Sequence, residues 1–312
     1  MLTEKNVTLR SRLGFIGLGY LGSRIARRLS AAGFPMVIYD RDREKTNEIA
    51  AGLGAAVASS CEELCAAHVD VVLSCLPNDA AVEAVYLGTD GILEKLGLGT
   101  LIIEQSTIAP ETTRQVSDAA GKLDVSMLDV AVSGSTAAAE AGRLTLFGGG
   151  EQKVFEAVEP ILAATASQWF YMGPSGSGVA MKLVVNTLLG LGMQSIAEAV
   201  ALGSGLGLPR DLLLDTLAKT AVVAPAHAGK LATAKRNDYT PQFPIRLMHK
   251  DFGLVLKAAA QSGLSMPATE AAALINSAEE AAGGEEDFSA VIRRMEQQVA
   301  VSNVLHKVER TG

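Results

Sequence analysis

The stretch Leu13–Asp40, LGFIGLGYLGSRIARRLSAAGFPMVIYD, decides the fold. Leu13-Gly14-Phe15-Ile16 reads as a short buried strand, and Gly17-Leu18-Gly19-Tyr20-Leu21-Gly22 follows with the spacing G-x-G-x-x-G. Ser23–Ala32 reads as a helix closed by Gly33. Pro35–Tyr39 reads as a second strand ending at Asp40, eighteen residues after Gly22. Strand, glycine turn, helix, strand and terminal acid form the dinucleotide-binding pattern in its required context. Gly17 allows the tight turn, Gly19 lets the backbone approach a pyrophosphate, and Gly22 lets the helix pack close to the strand. The helix N-terminus offers free N–H groups to the phosphates. Asp40 can accept hydrogen bonds from a ribose diol, which favours NAD; Arg41 and Arg43 suit a 2′-phosphate, or are simply a solvated helix start.

The alternation of strands and helices continues beyond this unit. Val69–Leu76 reads as a strand stopped by Pro77, and Leu101–Glu104 as another, followed by Gln105-Ser106-Thr107. Asp124–Val130 feeds Ala131-Val132-Ser133-Gly134-Ser135, and Thr145-Leu146-Phe147 precedes three glycines. In open parallel sheets ligands sit at the carboxyl ends of the strands. That rule gathers Leu76-Pro77, Ser106-Thr107 and Ser133-Gly134-Ser135 around one crevice, although each turn alone reads equally as a plain βα connection.

From Val179 onward no strand pattern is convincing, and the composition is rich in Ala and Leu at helical spacing. Val179–Leu206 is one long apolar helix, interrupted by Lys182, Asn186, Gln194 and Glu198. A helix this apolar should be buried, between domains or between subunits. Lys182 and Asn186 lie one turn apart, so both leave the same face. On pattern alone Lys182 is as readily a snorkelling lysine as a functional one. About thirty helical residues run about 45 Å, long for one small domain to cover. Part of the helix is therefore expected to meet a second subunit, in a homodimer or homotetramer.

Composition bounds the rest. The 312 residues are 48% hydrophobic, with a net charge of −7, which excludes a general nucleic-acid binder. Three cysteines, Cys61, Cys65 and Cys75, make no disulfide framework, and the polar N-terminus has no apolar signal segment. A cytoplasmic protein with no membrane span is expected. The scattered histidines have no metal-ligand spacing, Cys61 and Cys65 read as small apolar residues, and no metal is expected. Residues 1–11 and 307–312 read as frayed ends.

Four signatures then line up along the chain: GFIGLGYLG from Gly14, DVAVSGSTAAAEAGRLTLFGGG from Asp129, GPSGSGVAMKLVVN from Gly173 and KDFGLVLKAA from Lys250. With them the chain resembles the β-hydroxyacid dehydrogenases, including 3-hydroxyisobutyrate dehydrogenases and tartronate semialdehyde reductases. Val132-Ser133-Gly134-Ser135, Tyr239–Ile245 and Asp287–Ile292 are most similar to the glyoxylate/succinic semialdehyde reductases. The resemblance implies an α/β Rossmann-type N-terminal domain (12–174), a connecting helix (175–206) and an all-α C-terminal domain (207–306). It implies an active site between domains and NAD(P)H-dependent interconversion of a short hydroxy acid with its aldehyde or keto acid. Lys182 takes the place of the family's general acid/base. Asn186 accompanies it, Ser133, Gly134 and Ser135 form the carboxylate loop, and Phe243 and Asp251 face the substrate. The cofactor is implied to contact Leu76, Pro77, Thr107 and Lys250, besides the turn Gly17–Gly22 with Asp40 and Arg41.

Three departures stand out. Ala131 replaces a common proline, Thr136-Ala137-Ala138-Ala139 carries no basic residue after the serine loop, and Asp40-Arg41-Asp42 replaces the Asn-Arg-Thr frequent in NADPH users. Phe243 read without the resemblance is a core residue, and Asp251 is a structural cap or a partner for Lys250. A non-catalytic cofactor-binding sensor on the same fold, or an enzyme acting on imines, is the competing reading.

Overall fold

The computed structural model describes residues 7–298. The expected frayed ends at 1–6 and 307–312, and residues 299–306 of the helical domain, lie outside the described residues. The expectation for residues 7–11 is corrected at Val7, which is buried and donates its N–H to the Ala157 carbonyl at 3.1 Å. The chain forms two compact units that part between Leu183 and Val184, inside the helix Ser177–Gly205. Lys182 therefore belongs to the first unit and Asn186 to the second.

The first unit is built on eight strands: β1 (Leu13–Ile16), β2 (Met36–Tyr39), β3 (Ala56–Val57), β4 (Val71–Ser74), β5 (Leu101–Glu104), β6 (Ser126–Ser133), β7 (Leu144–Gly149) and β8 (Ala166–Gly173). Their order is β3-β2-β1-β4-β5-β6-β7-β8, parallel as far as β6. Successive side chains leave opposite faces of a strand. Leu13, Phe15, Leu73, Ile103 and Leu128 accordingly join one core, while Ile16, Val72, Ile102 and Met127 join the other. Helices cover both faces, which is why β1 and β4 are buried throughout. Strand order reverses between β1 and β4, the position where open α/β sheets bind ligands.

Three strands depart from the sequence reading, the first being the two-residue β3, which it does not contain. β7 runs through Gly148 and Gly149 instead of stopping at them, and pairs antiparallel to β6. A Cβ on Gly148 would collide with the Phe155 ring, and one on Gly149 would sit 2.5 Å from Asp129 Oδ1. These glycines make room for neighbours and do not end the strand. β8 is an edge strand parallel to β7 whose segment ASQWFYMG has no alternation to betray it.

The second unit is helical among its described residues. After the long helix come Arg210–Leu217, Pro225–Lys235, Ile245–Gln261, Pro267–Gly283, a short turn Phe288–Ala290, and helix over 291–298. Proline opens Pro225–Lys235 and Pro267–Gly283, where its missing N–H costs nothing. Met193, Ala197, Leu231, Met248 and Phe252 form the core. The long helix is apolar enough to cross a membrane by length and composition, and 44% of its most apolar window is buried. All-round burial is not what the chain provides: Val184, Leu188 and Leu202 are 57%, 70% and 65% exposed.

Candidate active site

The glycine turn separates into two kinds of glycine. Gly17 has φ +93°, and a Cβ there would collide with the Cys75 carbonyl; one on Gly22 would collide with the Gly17 carbonyl. Folding alone requires both. Gly19 is exposed, and its Cβ would meet nothing within 4 Å. The folded chain does not need a glycine there, so the vacant side-chain position fits a ligand that must approach the backbone. The helix Gly22–Ala31 has no side-chain cap and no acid in its first turn, so no side chain competes with an anion there, while the Ser23 and Arg24 N–H groups turn back to the Gly19 and Leu21 carbonyls. Leu18 is fully buried and Tyr20 is 45% exposed, while Leu21 is half-buried.

Asp40 closes this corner. Its Oδ2 accepts from the Leu18 N–H at 2.6 Å and its Oδ1 from the Asp42 N–H at 3.0 Å. The acid thus braces the glycine turn. Arg41 is exposed, and Arg43 opens a helix capped by Asp42.

The turns after β4 and β5 are tied to each other. The Leu76 N–H donates to Ser106 Oγ at 2.7 Å, and the Gln105 N–H to the Ser74 carbonyl at 2.8 Å. Asp79 Oδ1 accepts from the Ala109 N–H at 2.8 Å and from Thr112 Oγ1 at 2.6 Å. Leu76 and Thr107 are half-buried and Pro77 is exposed. After β6, Ser133 is half-buried, Gly134 has φ +142°, and Ser135 Oγ accepts from the Ala138 N–H at 3.2 Å as a helix cap.

Lys182 is half-buried on the second turn of its helix. The start of that helix is fixed by Asp129, which sequence reading passed over. Asp129 accepts from the Gly176 N–H at 2.9 Å and the Val179 N–H at 3.0 Å, on a strand whose end carries Ser133 four residues later. Burial pushes its carboxyl up, and those backbone bonds pull it down. A Cβ on Gly178 would lie 2.6 Å from the Asp129 carbonyl, so the helix starts hard against β6. The available signal was an acid set between Leu128 and Val130, which a buried strand does not carry without donors.

In the second unit, Asn186, Lys250 and Asp251 come together. Asn186 Nδ2 donates to Asp251 Oδ2 at 2.5 Å, and Lys250 Nζ lies 2.9 Å from Asp251 Oδ1. Asp251 is 1% exposed and ties the helix Ile245–Gln261 to the long helix. Asn186 Oδ1 has no hydrogen-bond partner among the described residues. Phe243 is half-buried, its ring edge-on to Phe288 at 5.8 Å, and its N–H donates to Asp287 Oδ2 at 3.1 Å. Asp287 also pairs with Lys230 at 2.6 Å, a buried ion pair that no sequence spacing announces. His249 Nε2 faces Glu280 at 3.7 Å. Burial pushes the thiols of Cys61 and Cys65 up to about 11, the state of packed and unreactive cysteines.

Residues 12–173 match the NAD binding domain of 6-phosphogluconate dehydrogenase. Residues 176–295 match the NAD-binding domain of NADP-dependent 3-hydroxyisobutyrate dehydrogenase. The chain is 34% identical over 293 residues to 2-(hydroxymethyl)glutarate dehydrogenase of Eubacterium barkeri, covering 93% of this chain and 97% of that one. It belongs to the 3-hydroxyisobutyrate dehydrogenase family. A second relative is glyoxylate/succinic semialdehyde reductase 1 of Arabidopsis thaliana, 31% identical over 90% of this chain and 96% of the other. A solved structure of Mycobacterium tuberculosis 3-hydroxyisobutyrate dehydrogenase with L-serine superposes with a TM-score of 0.82 at 31% identity, covering 92% of this chain and 99% of that one.

As a member of this β-hydroxyacid dehydrogenase family the chain is an NAD(P)-dependent dehydrogenase acting on hydroxyl groups of small acids. The open Gly19 position and uncapped helix N-terminus fit that cofactor.

Proposed function

We propose that the chain reduces a short carboxylate-bearing aldehyde or keto acid, glyoxylate or succinic semialdehyde, with Lys182 as the proton donor. The observation that carries this reading is the pair of Asp129 hydrogen bonds, which seat the start of the Lys182 helix on the strand ending at Ser133. When bound, the cofactor supplies the hydride. The Lys182 ammonium holds a proton for the carbonyl oxygen as negative charge gathers there, and in the reverse direction the neutral amine takes it back. The Ser133 hydroxyl and the N–H groups of Gly134 and Ser135 grip the carboxylate; Ser135 acts through its backbone, because its Oγ caps a helix. Asn186, one turn beyond Lys182, offers Oδ1 to a hydroxyl or ammonium. Asp251 serves by holding Asn186 and Lys250. Leu76, Pro77, Thr107 and Lys250 hold the cofactor along with the glycine turn, Phe243 flanks the substrate, and Asp40 favours NADH over NADPH.

A second substrate class has its own support. The helix Thr136–Glu140 carries no basic residue to favour the distal carboxylate of a semialdehyde, and the similar Mycobacterium tuberculosis structure is a 3-hydroxyisobutyrate dehydrogenase. On that reading the substrate is a β-hydroxy acid, of the 3-hydroxyisobutyrate or tartronate semialdehyde type. Self-association through the exposed Val184, Leu188 and Leu202, and a cytoplasmic setting suited to a chain with so few cysteines, complete the proposal.

The test is nicotinamide absorbance with glyoxylate, succinic semialdehyde, tartronate semialdehyde and methylmalonate semialdehyde, each with NADH and NADPH. Lys182→Ala is expected to lower kcat by about 10²–10⁴; wild-type turnover in that variant removes Lys182 from the mechanism. Tight cofactor binding with no carbonyl reduced would favour a sensor. Asp40→Ala and Arg41→Ala should move the NADH/NADPH ratio in opposite directions.

A further inference from the structure

Three polar residues lie level across three neighbouring strands. Ser74 on β4, Glu104 on β5 and Asp129 on β6 are register partners, and all are 2% exposed or less. Strand alternation turns them to the face that also carries Val72, Ile102 and Met127. Asp129 seats the helix of Lys182. Glu104 has no part in the chemistry above, and a buried carboxylate of this kind is a poor source of stability, since an apolar side chain of similar size does as well or better.

What Glu104 meets is a converging set of donors. Oε1 accepts from the Ser106 N–H at 2.9 Å and from Ser74 Oγ at 3.3 Å, and the Ser106 hydroxyl also bonds to the carboxylate. Ser74 Oγ in turn accepts from the buried Tyr86 hydroxyl at 2.7 Å. The Ser106 oxygen is already occupied by the Leu76 N–H at 2.7 Å, so its proton points to Glu104. A continuous line therefore runs from the Leu76 N–H through Ser106 to Glu104, joining the turn after β4 to the turn after β5.

We propose that Glu104 is a positioning residue for the nicotinamide cofactor, fixing from inside the sheet the Leu76-Pro77 and Ser106-Thr107 turns against which the cofactor is held. The ionised carboxylate accepts from all its donors; once protonated it carries a donor of its own, and one of the serine bonds has to turn away. The groups facing it are Asp129 from β6, Tyr86 from the helix Asp79–Tyr86, and the neutral Ser74 and Ser106. Burial above all, with some repulsion from Asp129, lifts the Glu104 carboxyl to about 7 against the pull of Ser106 and Ser74. Cofactor affinity should therefore rise as pH climbs through neutrality, because ionisation completes the brace. This rests on the use of NAD(P)H and on the turns the cofactor contacts, and not on which carbonyl is reduced.

The test is a fluorescence titration with NADH and no carbonyl present, so a wrong substrate assignment leaves it untouched. Wild type should bind several-fold more tightly at about pH 8 than at about pH 6. Glu104→Gln should bind about tenfold more weakly than wild type at the higher pH, without pH dependence. Its KM for the carbonyl at saturating NADH should stay within about twofold, and its melting temperature should not fall. Ser106→Ala keeps the acid but cuts the line to Leu76, and should show the same weakening if Glu104→Gln does not fold; Glu104→Asp should restore part of the pH dependence. Wild-type NADH affinity and pH profile in both Glu104→Gln and Ser106→Ala would overturn the proposal. So would a loss in Glu104→Gln that falls equally on thermal stability and on carbonyl KM.

Discussion

The two units bury carboxylates differently, the first among neutral donors and the second with a cation added. At the sheet ends of the first unit, Glu104 and Asp129 are met by backbone N–H groups and hydroxyls. In the helical second unit the buried acids are met by cations as well: Asp287 by Lys230 alongside the N–H groups of Gln242, Phe243 and Ser289, Asp251 by Lys250 alongside the Asn186 amide, and Glu279 by Arg293 and Arg294. The cause is where free N–H groups occur. A strand end followed by a turn, or the first turn of a helix, leaves backbone donors unspent, whereas a helix interior consumes its own. For the acids within helices, Asp251 and Glu279, side chains must then supply the partner, and the long ones that reach are charged. The difference carries a consequence. A carboxylate among neutral donors can take a proton with modest loss, and Glu104 is lifted to about 7; one against a lysine cannot do so without stranding a buried cation.

The most severe way to break this contrast is Asp287→Ala. It leaves Lys230 buried without its anion and removes the acceptor for the N–H groups of Gln242, Phe243 and Ser289. A loss of about 3–5 kcal/mol in denaturant unfolding is expected. A loss under about 1 kcal/mol would mean that the ion pair is not the anchor of the second unit.

The first unit should respond to pH instead. Folding raises Glu104 from its ordinary 4.5 to about 7, so the folded chain holds this proton more firmly than the unfolded one. The stability it contributes is present below about pH 4.5 and is lost as pH rises to about 7, with a ceiling of about 3 kcal/mol. Glu104→Gln should flatten that part of the profile in denaturant melts at pH 5 and pH 8. Asp129, also lifted by burial, keeps a residual slope of the same sign. An unchanged profile would mean that Glu104 is ionised in the folded state throughout. Proton release that weakens the fold and strengthens cofactor binding would be a direct signature of the brace.

The smallest expected effect on stability separates fold from ligand. Gly19→Ala places its Cβ in open space, so unfolding should change by no more than about 0.5 kcal/mol. NADH affinity should nonetheless fall sharply, because the added methyl stands where the backbone meets the pyrophosphate. A large loss of stability in that variant would show that Gly19 serves folding in the way Gly17 and Gly22 do.

The glycine turn with its two strands was legible because a local pattern specifies it: alternation, punctuation and an acid at a fixed spacing all lie within Leu13–Asp40. The helical second unit was legible for the same reason, through the period of its apolar residues. β8 was not, because an edge strand half open to solvent needs no alternation and is held by pairing with β7. The extent of β7 through Gly148 and Gly149 was not legible, since the Phe155 ring that requires one of these glycines comes later in the chain. Asp129 was on the page as the first letter of a signature, yet its task depends on N–H groups 47 and 50 residues away.

By itself the sequence determined the α/β alternation of the first unit, the helical character of the second, the dinucleotide turn and the presence of Lys182 on an apolar helix. Hydrophobic period and glycine placement act over a few residues and are written in consecutive letters. Only the tertiary structure decided that Ser74, Glu104 and Asp129 stand in one row, that Ser106 links Glu104 to Leu76, and that Asp251 holds Asn186 and Lys250. Such groupings follow from strand register and helix packing, which juxtapose residues tens of positions apart, and a buried acid reveals its role only through the donors that packing brings to it.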